Sequence, residues 1–155
     1  MRLALTAATL LLSTTALSAQ DFPQTFEHRF GTTVVESRPE RVVSLSYQNH
    51  DNFLALGVVP VGIRYWYGDY PFGVWPWAQE ALGDAEPFVI EGEISIEAIA
   101  ALEPDLIEAV WSGITEEEYQ LLSEIAPVIP AVPLPQVTAP TLPIVPLSQK
   151  RLATT

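Results

Sequence analysis

From residue 41 to residue 130 two kinds of segment alternate, and that alternation limits the possible folds more than any other property of the chain. Runs rich in β-branched residues at 42–46, 59–63, 88–90, 106–110 and 128–129 read as short strands. Between them lie stretches with helical signals. Asn49 can cap a helix carrying Phe53, Leu54 and Leu56, which Gly57 stops. A second helix is expected to begin near Pro76, a favoured first-turn residue, and to end at Gly83. Ser95 opens a third, with Ile96, Ile99 and Leu102 on one face and Pro104 closing it. Thr115 and Glu118 have the spacing of a capping box ahead of the apolar stripe Tyr119, Leu122 and Ile125. Each connection between strands is long enough for a parallel crossover. The fold class is therefore α/β, a Rossmann-like parallel sheet with helices on both faces. Ahead of it, FEHRFGTTVV reads as a hairpin turning at Gly31.

Three parts are expected along the chain. Residues 1–19 have the layout of a signal peptide: Arg2 precedes a short apolar stretch, and Ala16, Ser18 and Ala19 suit cleavage. That stretch is too short and too rich in Thr and Ser to span a membrane, which takes about 20 mostly apolar residues. Residues 20–131 are expected to form one domain. Residues 132–155 form a Pro-rich tail, for seven of the fourteen prolines fall between Pro127 and Pro146 and no acidic residue follows Glu124. Such a segment is expected to be extended and disordered, and a frameshift or truncated gene would explain it.

The chain has no cysteine, so it forms no disulfide, offers no thiolate to a metal and cannot be lipidated at a cleavage-site Cys. Export without lipidation points to the periplasm. A net charge of −12 repels nucleic acid and suits neutral or cationic ligands.

The densest chemical signal is YWYGDYPFGVWPW, residues 65–77, in which seven of thirteen residues are aromatic. It follows a strand, and ligands of open parallel sheets bind at the carboxyl ends of strands. Tyr65, Trp66, Trp75 and Trp77 are therefore candidate ligand-binding residues, and Trp111 ends another strand in the same way. Single rings can equally serve as loop packing. Arg64 can contact an anionic oxygen or stack on a ring, or else pair at the surface with Asp69. His28 and His50 are too isolated in sequence to suggest a metal site and read as a surface residue and a helix-start residue. No phosphate loop, nucleophile elbow or cysteine nucleophile is present, so no enzyme activity and no cofactor are expected.

Five phrases in order, RVVSLSY, LALGVVPVGI, YGDYP, SIEAIAALEPDLI and LLSEIAPVI, resemble the class III periplasmic binding proteins, which deliver iron-siderophores, haem and vitamin B12 to ABC importers. The aromatic loop looks like the iron-siderophore branch. The resemblance runs from about Phe26 to Ile129 and implies the N-terminal lobe of a two-lobed, monomeric protein that holds a ferric siderophore and docks on a permease in the inner membrane. It places cleft aromatics at Trp111 and at Tyr65, Trp66, Trp75 and Trp77, and a permease-docking carboxylate at Glu97. Many relatives carry an Arg before the helix that holds Glu97, where this chain has Glu91, Gly92 and Glu93. Neutral or cationic hydroxamate chelates are therefore expected over anionic catecholates or citrates. A haem or cobalamin carrier, or an interaction protein using the aromatic patch, are the alternatives. Beyond Ile129 the linking helix and second lobe have no counterpart, so weaker ligand binding than in a complete relative is expected.

Overall fold

The five strand signals become five short parallel strands of one sheet, the central ones buried on both faces and the one at 88–90 at the margin with Phe88 exposed. The computed structural model describes residues 22–131; the expected signal peptide and the expected tail lie outside the described residues. Strands β1 (Gln24–His28) and β2 (Gly31–Val35) pair antiparallel as the expected hairpin. Then follow β3 (Val42–Ser44), α1 (His50–Ala55), β4 (Gly62–Arg64), a 3₁₀ turn at Pro71–Gly73, α2 (Gln79–Leu82) and β5 (Phe88–Ile90). The series ends with α3 (Ile96–Ala101), β6 (Leu106–Ala109), α4 (Glu116–Ser123) and β7 (Val128–Pro130). The sheet order is β5-β4-β3-β6-β7, and all four pairings are parallel.

Side chains alternate across this sheet and bury two separate apolar layers. Val43, Leu45, Ile107, Ala109 and Val128 pack with Ile99 of α3 and Leu122 of α4. On the other face Ile63 packs with Leu54 of α1 and Leu82 of α2, while Val42 and Leu106 meet Phe26 and Val35 of the hairpin. Helices thus cover both faces, as the alternation implied. Register puts Gly62 opposite Val43 under Leu102, and a Cβ on Gly62 would come within 2.8 Å of Leu102 Cδ1. A larger residue there would have to displace the Leu102 side chain at the end of α3.

The helix ends mostly follow their signals. Thr115 Oγ1 accepts from the Glu118 N–H at 3.2 Å while Glu118 Oε2 accepts from the Thr115 N–H at 2.7 Å, completing the capping box. Ser95 Oγ accepts from the Ala98 N–H. Asn49 stands at the N-cap position of α1 without capping it, because its amide is drawn instead to the buried carboxyl of Glu108. The second helix begins at Gln79 rather than near Pro76. Gln79 Nε2 donates to the carbonyls of Val74 and Pro71, so the residues ahead of it close a loop instead of a helical turn. Among the described residues no helix is long and apolar enough to cross a membrane.

Candidate ligand-binding site

The chain runs outward from β3 to β4 and β5, then crosses back to place β6 on the opposite side of β3. The two connections leaving β3 and β6 therefore diverge at the carboxyl ends of these strands, the place where ligands of such sheets bind. Loops after β3, β4, β5 and β6 all reach this edge.

Arg64, the last residue of β4, ties three of these loops together. Its guanidinium lies over the Tyr47 ring at 4.6 Å, donates to the Ser112 carbonyl at 2.9 Å and reaches the Gly92 carbonyl at 3.5 Å. It forms no ion pair with Asp69. Its planar fork is used on carbonyls and a ring, a geometry that arginine suits better than lysine.

The loop after β4 folds into a ladder of rings. Tyr47 and Trp66 have centroids 6.2 Å apart, Trp66 and Tyr67 4.2 Å, Tyr67 and Trp75 4.8 Å, and Trp75 and Trp77 4.9 Å. The last pair is stacked, and Tyr70 joins at Trp75. Edge-to-face and offset geometries of this kind are the favourable ones for aromatic pairs. The candidates Trp66, Trp75 and Trp77 are thus brought together, with Tyr47, Tyr67 and Tyr70 as members that residue spacing did not single out. Trp77 is 68% exposed, yet its Nε1–H donates to Asp51 Oδ2 at 2.6 Å, which fixes the outer end of the ladder to α1.

Tyr65 stands apart from the ladder. Its hydroxyl donates to the Gly68 carbonyl at 3.1 Å, and its ring lines a cavity of about 300 Å³ with Tyr70, Phe72, Asp69 and Glu91. Gly68, at φ 94°, lets the Tyr70 ring lie against the backbone, since a Cβ would meet that ring at 2.7 Å. Trp111 makes no ring contact with the ladder; it is 71% exposed at the end of β6, and its neighbour Ser112 is held by Arg64. Glu97 is exposed in the first turn of α3, where it accepts from Ser95 Oγ.

Both histidines prove to be inside. His28 is buried against Tyr119, its Nδ1 accepts from the Phe30 N–H at 3.2 Å, and Nε2 lies 2.9 Å from Thr33 Oγ1, so the expectation of a surface residue is wrong. The hairpin folds it onto α4. His50 does begin α1, but its ring is 1% exposed and neither nitrogen is hydrogen-bonded; Nε2 is 3.3 Å from Asp51 Oδ1 without hydrogen-bond geometry. Burial lowers the pKa of both rings, and Asp51 partly offsets this at His50. Among the described residues no three His, Asp or Glu side chains gather as a metal site would require.

Comparison with known proteins gives this edge its context. A family model described as periplasmic binding protein matches residues 42–144, most of the chain. The chain belongs to the periplasmic binding protein family. Among curated proteins it is 33% identical over 112 residues to the probable siderophore-binding lipoprotein YfiY of Bacillus subtilis, covering 68% of this chain and 32% of that one. A periplasmic solute binding protein from Mycobacterium smegmatis is 45% identical with a TM-score of 0.68, covering 72% of this chain and 40% of the other. PiaA from Streptococcus pneumoniae, solved in complex with ferrichrome, is 38% identical with a TM-score of 0.59, over 72% of this chain and 39% of its own. The chain therefore spans about a third of the length of its curated periplasmic binding protein relatives.

Proposed function

We propose that this chain carries the N-terminal lobe of the solute-binding component of an ABC importer for ferric siderophores, working in the periplasm. The observation that carries the reading is the ladder Trp66–Tyr67–Trp75–Trp77, open at the carboxyl edge of the sheet beside Arg64, two of whose donors reach backbone carbonyls. Exposed contiguous rings mark a binding surface, because a protein without a ligand for them gains nothing from leaving them in water. The role is binding, and no step of catalysis is assigned to any residue.

Charge supports the chelate class. Arg64 contacts the Ser112 and Gly92 carbonyls and Tyr47, while the elements at this edge carry Asp51 on α1 and Asp69, Glu91 and Glu93 on loops. An anionic catecholate or citrate complex would meet these carboxylates with only the single Arg64 charge beside them among the described residues, whereas a neutral or cationic hydroxamate would not be repelled. Glu97, in the first turn of α3 and clear of the ladder, is the proposed contact with permease arginines.

The experiment is a titration of the chain with ferrichrome, and separately with anionic ferric dicitrate, followed by tryptophan emission. Ferrichrome is expected to quench the ladder strongly and ferric dicitrate weakly, and Trp111→Ala to weaken ferrichrome by about tenfold or less, the scale of one aromatic contact. The opposite order of the two chelates would reject the charge argument. Quenching by haemin alone would transfer the reading to a planar macrocycle.

A further inference from the structure

A buried acid lies near the carboxyl end of β6, where the two connections diverge. Glu108 of β6 is 5% exposed and sits in register beside Ser44 of β3, on the sheet face that Ile63 shares. Its Oε1 accepts from Asn49 Nδ2 at 2.8 Å, from the Val110 N–H at 2.7 Å and from Ser46 Oγ at 2.5 Å, and Oε2 accepts from Ser44 Oγ at 2.8 Å. Four donors from three segments converge on one group that can only accept. Taking a carboxylate out of water is unfavourable unless such donors replace the lost hydration, and an apolar side chain would fill the same volume without that demand. The core by itself has no need of this acid.

What the carboxylate joins are the two connections that diverge at the switch point. One carries Ser46, Tyr47 and Asn49; the other carries Val110 and Trp111. Trp111 has φ 62°, a left-handed conformation that a bulky residue keeps only when its surroundings hold it. On its amino side the Val110 N–H is held by Glu108. On its carboxyl side the Ser112 hydroxyl donates to the Ala109 carbonyl at 2.6 Å and the Ser112 carbonyl accepts from Arg64.

We propose that Glu108 is a positioning residue of the binding site: it clamps the connection after β3 to the turn after β6, and so holds Tyr47 and the exposed indole of Trp111 in the arrangement a ligand meets. This rests on the chelate-binding reading for its consequence, and on the hydrogen bonds alone for its geometry. Glu108→Gln keeps the shape but replaces one acceptor oxygen with an amide nitrogen, leaving at least one donor without a partner.

The test follows the indole N–H resonances of the four tryptophans in the whole chain, with and without ferrichrome. In Glu108→Gln the Trp111 resonance is expected to shift and broaden, while Trp75 and Trp77, held by each other and by Asp51, keep theirs; the ferrichrome dissociation constant rises about tenfold. An unmoved Trp111 resonance, or an equal disturbance of all four indoles, overturns the proposal. If Glu108→Gln does not fold, Asn49→Ala, which removes one donor at the half-buried margin of the network, is judged by the same selective change. A wild-type chain that ignores ferrichrome removes the chelate reading and leaves the resonance comparison in force.

Discussion

Mild acid should destabilise this protein through its two histidines. The Phe30 N–H donates to His28 Nδ1, so the ring proton sits on Nε2, facing Thr33 Oγ1, whose own hydroxyl donates to the Val128 carbonyl. A second proton on Nδ1 would set two donors against each other. His50 is buried with no hydrogen-bond partner for a charge, and burial lowers both pKa values from 6.5. Between about pH 6.5 and the lower folded values, the unfolded chain holds protons that the folded chain lacks. The stabilising contribution is therefore complete above about pH 6.5, declines as the pH falls, and stops declining once the folded histidines also protonate. Each ring can supply a slope of at most ~1.4 kcal/mol per pH unit, and His50 less because Asp51 opposes the shift. Against a total stability of about 5–15 kcal/mol this is a measurable share. Urea unfolding at successive pH values between about 7 and 5 should show the loss in wild type, and a His28→Gln/His50→Leu double variant should be nearly flat. Relief of repulsion in a chain of charge −12 acts in the opposite direction. Stability that is constant or rises on acidification in wild type, or a slope that survives in the double variant, would refute the reasoning.

Three other perturbations probe separate parts of the fold and site. Gly62→Ala forces a methyl to 2.8 Å from Leu102 Cδ1 and 3.3 Å from Val43 Cγ2, and should destabilise by about 1–3 kcal/mol in denaturant unfolding. Thr115→Ala opens the capping box of α4 and should lower stability by about 1 kcal/mol without altering ligand titrations. Glu97→Ala, introduced into a two-lobed form carrying this lobe, should reduce cellular iron uptake while leaving chelate affinity nearly unchanged; equal loss of both would place Glu97 in the binding site instead.

Strands and caps were legible because they depend on neighbours in sequence. Thr115 and Glu118 are three residues apart, and Val42, Val43 and Leu45 betray burial by themselves. The aromatic stretch was legible as a cluster of rings at a strand's end for the same reason, although the length of its loop was not: Gln79 reaches back to Val74 and Pro71, and that closure, invisible to a first-turn proline rule, delays the helix. Tyr47 joins the ladder only through the tertiary meeting of β3 and β4. Glu108 carried a faint signal, a lone acid inside the run LIEAV, facing the equally odd serines of VVSLS across the β3–β6 pairing. Without that pairing, the acid and the serines are unrelated. His28 was misjudged as a surface residue because its burial comes from the hairpin folding onto α4, a contact between segments distant in sequence, whereas His50 starts α1 as expected.

The margins of the sheet have a bearing on how copies of this protein behave when crowded together. An open parallel sheet ends in two strands whose free backbone groups invite another chain. Here β7 contains Pro130, and its Val128 carbonyl is already taken by the Thr33 hydroxyl of the hairpin lying alongside. At the opposite margin β5 is three residues long and follows Pro87 directly. Among the described residues neither border offers a long run of free strand to a neighbour, so pairing between copies through the sheet is disfavoured although a broad band of rings stands exposed at the carboxyl edge.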